Sequence, residues 1–224
     1  MTPIARAALH LLRTPSAAVG AAILLIVLAA AASAPWLFPD DPLEMVGAPF
    51  TWPGEDASFP AGTDLMGRDI LAGLFHGARV SLLVGGASAA IALAIGLLVG
   101  AFAGYAGPRT DAVLMRITEL FQTVPSFLLA IVLVAILGPS LSTIIFALGV
   151  TSWTGIARLT RGEFISLRER EFVRASRVMG NSELYTLMRH LLPNCLAPVI
   201  VMATSMCGWI IPVSYTHLTL PTKA

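Results

Sequence analysis

The sequence predicts an all-α fold, a polytopic helical membrane protein, and three observations carry that prediction. Of its 224 residues, 56% are hydrophobic and 12% are charged, whereas a soluble domain carries about 25% charged residues. Apolar runs of spanning length recur along the chain. The remaining charge gathers in two stretches, an acidic one early in the chain and an arginine-rich one at residues 158–198.

Residues 1–38 read as a short basic start, with Arg6 and Arg13, followed by a first span. Ala32-Ser33-Ala34 resembles a signal-peptidase box, but the apolar stretch exceeds the roughly 7–15 residues of a signal core. Pro35 directly after the box also argues against cleavage. Residues 39–79 form a Pro- and Gly-rich loop with seven acids (Asp40, Asp41, Glu44, Glu55, Asp56, Asp64 and Asp69). Residues 80–212 hold the remaining spans.

The second span is expected at residues 80–105, where Gly96, Gly100 and Gly104 recur every four residues. That spacing leaves one helix face without side chains. It either lets a neighbouring backbone approach closely or reflects the general abundance of small residues in membrane helices. A third span is expected at 112–137, interrupted by Pro125, and a fourth, short one at 141–157. A fifth begins at Leu196 and is expected to end at Pro212. The tail, residues 213–224, is rich in β-branched and polar residues. It is expected not to continue the helix and to be non-native.

The arginine-rich stretch is a polar island between apolar spans. It holds Arg158, Arg161, Arg168, Arg170, Arg174, Arg177 and Arg189 against Glu163, Glu169, Glu171 and Glu183. With the N-terminus cytoplasmic, eleven arginines fall inside (Arg6, Arg13, Arg109, Arg116 and these seven) and two, Arg68 and Arg79, outside. The positive-inside rule then places this stretch in the cytoplasm and the acidic loop outside.

Two short helices are expected within it. In the first, Arg170, Arg174 and Arg177 share one face, and Phe172, Ser176 and Met179 share another. Gly180-Asn181 is a helix stop, and Ser182 caps the next helix. Leu184, Leu187, Met188 and Leu191 then form an apolar stripe that Pro193 is expected to break. Such helices either lie on the lipid headgroups or dock into a cleft on a partner protein.

Several chemistries are excluded or disfavoured. Thirteen of fourteen basic residues are Arg and the single Lys is Lys223, so no P-loop lysine follows a Gly-rich turn. Cys195 and Cys207 are twelve residues apart on one expected helix, about 18 Å, too far for an internal disulfide. No catalytic residue, metal site or cofactor is expected, and no nucleic-acid partner. Glu119 near the start of the third span is either a functional acid or the partner of Arg116. Pro125 either opens a pathway by kinking its helix or is simply tolerated. His76 and His190 are expected to be interfacial or capping. An intramembrane hydrolase would need a nucleophile and a base at membrane depth, and no His lies within an expected span. A passive channel or scaffold stays open on span count alone.

The arginine-rich stretch resembles the membrane permease subunits of bacterial ABC importers, in their dipeptide, oligopeptide and nickel branch. Their signature is Glu-Ala-Ala, three residues, Gly, nine residues, Ile, one residue, Leu-Pro. Here Arg174-Ala175-Ser176, Gly180, His190 and Leu192-Pro193 fall at those spacings. Arg174 stands in place of the Glu, Ser176 of an Ala and His190 of the Ile. The run from Gly62 to Asp69, then Gly77-Ala78-Arg79-Val80-Ser81-Leu82, is also similar to that branch. So are Gly138-Pro139, Ser152-Trp153, Arg158-Leu159 with Arg161-Gly162, and the run from Arg189 to Asn194.

The resemblance implies a type I importer fold with six spans, of which five are present. It implies a second, homologous permease, two ATP-binding subunits that hydrolyse the ATP, and an extracytoplasmic solute-binding protein, all at the bacterial inner membrane. It also implies that a coupling loop, residues 158–195, docks the ATPase subunits through Arg170, Phe172, Val173, Arg174, Ala175, Ser176, Met179, Gly180, Leu184 and Pro193. Asp64, Asp69 and Arg68 would either structure the outer loop or touch the binding protein. The cargo is expected to be peptide, with nickel as the alternative.

Overall fold

The structure is a computed structural model that describes residues 14–218. Arg6, Arg13 and the last six residues of the tail lie outside the described residues. The helices are α1 (Pro15–Leu37), α2 (Ile70–Tyr105), α3 (Pro108–Thr123), α4 (Ser126–Leu137), α5 (Leu141–Arg168), α6 (Glu171–Val178), α7 (Glu183–Thr186) and α8 (Leu192–Leu218). A π-helical turn, Leu187–Leu191, joins α7 to α8. Among the described residues, four helical segments are long and apolar enough to cross a bilayer, and a fifth crossing arises if α3 and α4, bent by 82°, count as one. This is an all-α membrane architecture, as the composition predicts.

The chain divides into two compact units, Met1–Leu82 and Leu83–Ala224. In the first, α1 occupies the expected span. The acidic loop is ordered by turns rather than by sheet, since a single bridge, Thr63 to Asp69, is its one strand-like contact among the described residues. The Asp64 carboxylate accepts from the backbone amides of Met66 at 2.8 Å and Arg68 at 2.9 Å. The Arg68 amide, then those of Met66 and Gly67, hold this carboxyl below the usual carboxylate range. Gly67 has φ +76°, and a side chain there would run into the Gly47 carbonyl. Asp64 therefore shapes the turn it sits in. His76 places Nε2 3.0 Å from the Phe38 carbonyl, which it caps as donor.

The second helix starts at Ile70, not at Val80. Asp69 supplies the start, its carboxylate accepting from the Leu71 amide at 2.8 Å. The residues that follow, from Ile70 to Arg79, are mostly apolar and are helical despite Gly73 and Gly77, so the non-helical loop is ten residues shorter than the 39–79 expected.

In the second unit the glycine stripe does bring backbones together. A Cβ on Gly96 would lie 2.6 Å from Ile156 Cβ, one on Gly100 2.6 Å from Thr160 Cβ, and one on Gly104 2.6 Å from Phe164 Cβ. α5 returns the fit at Gly149, where a Cβ would lie 2.7 Å from Ile91 Cβ. Ser88 Oγ donates to the Ile145 carbonyl at 3.0 Å across the same seam. Ala92, Trp153, Ile156, Ala157, Val199 and Ala203 form the middle of the core where α2, α5 and α8 meet. Close backbone approach of this kind drives association where lipid is as apolar as the side chains.

Further boundaries differ from expectation, and α3 starts at Pro108 instead of 112. α5 does not stop at Ala157 but runs to Arg168, because its second half buries Thr160 and Phe164 on one side. Pro193 does not break the chain before the last helix. It sits in the first turn of α8, where a missing amide costs little, and the π-helical turn before it absorbs the change of register. Pro212 likewise sits inside α8, which continues to Leu218 instead of ending there. An apolar helix tolerates one missing amide at such a position.

Candidate functional site

The arginine-rich segment folds as an elbow. α6 ends at Gly180, whose φ of +79° is the left-handed conformation that a side chain disfavours. The Gly180 amide donates to the Arg177 carbonyl at 2.9 Å and the Asn181 amide to the Ser176 carbonyl at 3.2 Å, which closes the C-terminal turn. Ser182 caps α7, its Oγ accepting from the Tyr185 amide at 3.2 Å. The elbow and its glycine stop therefore stand where the sequence puts them.

A buried polar knot fixes the angle. Ser176 Oγ lies 3.1 Å from Thr186 Oγ1, and Asn181 Nδ2 donates to Ser176 Oγ at 3.1 Å. Beneath it Phe164, Val173, Leu191 and Cys195 are fully buried together. The Tyr105 hydroxyl at the end of α2 donates to the Glu183 carboxylate, and Arg177 Nε reaches Glu183 at 3.4 Å. Arg168 Nη1 donates to the Gly104 carbonyl at 3.2 Å. The elbow is thus held by α2, α5 and α8 at once.

These contacts sort the expected docking residues into two groups. Val173 and Ser176 are buried and anchor α6, so Ser176 does not share an open face with Phe172 and Met179. Arg170, Phe172, Arg174, Ala175, Met179, Gly180, Leu184 and Pro193 are exposed. Three further apolar side chains lie open on the same segment: Val178 (88% exposed), Tyr185 and Met188. Met188 belongs to the stripe visible in the sequence; Val178 and Tyr185 carry no signal by spacing. His190 stacks against Tyr185 edge to face at 5.9 Å and lies 6.2 Å from Phe172.

The electrostatics are local. Arg174 Nη2 donates to Glu169 Oε2 at 2.8 Å. That hydrogen bond, aided by the charges of Arg174, Arg168 and Arg177, holds the Glu169 carboxyl below its ordinary value. The position that carries an acid in the signature thus carries a base here, and an acid five residues earlier faces it.

Glu119 pairs with Arg116 at 3.1 Å, both side chains largely exposed. This is the local pair the spacing allows. Val124 and Pro125 are where α3 gives way to α4.

A family model described as binding-protein-dependent transport system inner membrane component matches residues 96–212. The chain is 40% identical over 190 residues to the di/tripeptide transport system permease protein DppC of Pseudomonas aeruginosa, covering 83% of this chain and 63% of that protein. It is 42% identical over 143 residues to the dipeptide transport system permease protein DppC of Bacillus subtilis, covering 64% and 45%. It is 37% identical over 196 residues to the oligopeptide transport system permease protein OppC of Haemophilus influenzae, covering 86% and 62%. The chain therefore spans less than two thirds of the length of each of these three relatives.

Proposed function

This chain belongs to the family of binding-protein-dependent transport system inner membrane components, and from that premise we propose that it is the membrane-spanning subunit of an ATP-driven importer of di- and oligopeptides. The observation that carries the proposal is its likeness, along most of its length, to permeases named for di/tripeptide, dipeptide and oligopeptide transport. Those names support peptide over nickel as the cargo.

In this proposal the chain performs no chemistry of its own. It pairs with a second permease to enclose the path, and two ATP-binding subunits supply the work. The N-terminus lies in the cytoplasm, as the arginine distribution supports. The elbow then faces the ATPase subunits, and the acidic outer loop faces the solute-binding protein. Exposed Phe172, Val178 and Met179 form the apolar centre of the docking surface, rimmed by Arg170 and the Arg174–Glu169 pair. This is the usual anatomy of a protein–protein contact. Because the elbow is rigidly tied to α2, α5 and α8, a displacement imposed on it is passed to the spans as a rigid-body movement.

The test is transport by the natural permease, assembled in vesicles with its partner subunits and binding protein. Labelled dipeptide should accumulate only with ATP present. Accumulation of nickel ion and not of dipeptide would favour the alternative cargo. Flux that ignores ATP would favour a passive channel.

A further inference from the structure

The break between α3 and α4 lines an open crevice of about 460 Å³, within the size range of small-ligand sites, roughly 300–1,000 Å³. We propose that this crevice is the chain's own share of the substrate path and that it holds a short peptide by its main-chain amides. The proposal rests on the peptide-importer function above and adds the place and manner of contact.

The backbone gives the first reason. Pro125 has no N–H to offer the Phe121 carbonyl, and the chain turns by 82° between the two helices. In hydrocarbon, a helix end that faces lipid is too costly. Irregular backbone at membrane depth persists where it is buried in protein or lines a wet cavity. Here Val124, Pro125 and Ser126 line the crevice. The two helix ends that meet there carry opposite ends of the helix dipole, the same polarity that a zwitterion presents.

The side chains give the second reason. Gln122, Ser126, Ser152 and Thr154 supply neutral donors and acceptors to the crevice, and Met202 and Trp209 supply its apolar wall. Gln122 is oriented, since Arg158 Nη1 donates to its Oε1 at 3.2 Å while its Nε2 lies 3.4 Å from Thr154 Oγ1. Among the described residues that line it, none is Asp, Glu, His or Cys. These described residues offer a divalent cation no carboxylate, imidazole or thiolate. Amide and hydroxyl groups match the peptide bond, which every peptide shares. A thioether is unbranched and adapts to different side chains. The site therefore reads what peptides have in common and tolerates what distinguishes them.

The experiment uses the permease in the assembled transporter, with Cys207→Ala to remove the partly accessible thiol; Cys195 is buried. Ser152→Cys and Ser126→Cys are each exposed to a water-soluble thiol reagent during turnover. Both should react, and saturating dipeptide should slow the reaction several-fold. Ser152→Leu should lower dipeptide uptake about tenfold, the scale of one lost buried hydrogen bond, while binding-protein-stimulated ATP hydrolysis persists. If the wild type imports dipeptide, but peptide leaves both labelling rates unchanged or Ser152→Leu imports normally, the crevice is not the path. A wild-type assembly that imports no peptide overturns the peptide function itself, and with it this ligand.

Discussion

Arg161 donates through Nη2 to Asp111 Oδ2 at 2.6 Å, and its Nε reaches the other carboxylate oxygen. This two-pronged pair spans fifty residues and ties α5 to the first turn of α3. Asp111 is well placed there, because a helix N-terminus favours an acid. Both side chains are partly buried, so removing one leaves the other charge half withdrawn from water. Asp111→Ala should cost about 1–3 kcal/mol, between the values for exposed and buried pairs. A double-mutant cycle with Arg161→Ala, read by thermal unfolding in detergent, should give a coupling of about 1–2 kcal/mol. Additive effects would show that the pair does not hold α3 in place.

The glycine stripe makes a sharper contrast. Gly100 faces the α5 backbone, whereas a Cβ on Gly86 of the same helix would meet nothing within 4 Å. Gly100→Ala must push the two helices apart and should destabilise by about 1–3 kcal/mol. Gly86→Ala meets no obstacle and should be neutral or stabilise by about 0.5–1 kcal/mol, since alanine loses less backbone entropy in a helix. Thermal unfolding of the two variants under one set of conditions compares them. Equal effects would mean that the close approach contributes nothing.

Much of this arrangement is written locally. Spacing placed the glycines on one face, and Gly180 and Ser182 announced the two ends of the elbow, because caps and left-handed turns need particular residue types within a few positions. Helix extents were harder to read. Ile70 to Arg79 looks like loop by its glycines and histidine, and only the Asp69 cap reveals that a helix begins there. Proline proved ambiguous for a physical reason. Pro125 breaks a helix, Pro193 opens one and Pro212 is carried within one; a position in the first turn explains Pro193, whose amide would have no helical partner anyway, whereas spacing alone does not separate Pro125 from Pro212. The inward turn of Val173 and Ser176 depends on Phe164, Thr186 and Leu191, which are distant in sequence or lie beyond the turn. The same is true of Asp111, whose partner is fifty residues away.

The pair of Arg174 with Glu169 makes a statement about pH. Glu169 titrates below its ordinary value of 4.5 because Arg174 bonds its charged form. A carboxyl whose pKa is lowered by folding stabilises the native state above the unfolded value, and this contribution is lost as pH falls through the lowered one. A titration of the Glu169 carboxyl carbon by NMR should therefore have its midpoint below 4.5, and Arg174→Ala should move that midpoint upward. Arg174→Glu would set two acids against each other and should raise the Glu169 midpoint further. An unchanged midpoint in both variants would show that Arg174 does not face Glu169 in solution.

The docking role proposed for the elbow is tested by separating its shape from its surface. Gly180 has φ +79° with open space around it, so a substitution there acts through backbone strain and not through collision. A β-branched residue should cost about 1–2 kcal/mol, whereas asparagine enters the left-handed region more readily. Gly180→Val should therefore distort the elbow, and Gly180→Asn should largely preserve it. Phe172 is 41% exposed, so Phe172→Asp leaves the buried knot untouched while placing a charge at the apolar centre. Gly180→Asp combines a tolerated backbone with a new charge at the same surface. Both aspartate variants should insert in the membrane and unfold near the wild-type temperature, yet lose ATP-driven uptake and co-purification with the ATPase subunits. Gly180→Asn should keep both. Normal uptake by Phe172→Asp and Gly180→Asp would mean that this face meets nothing during transport.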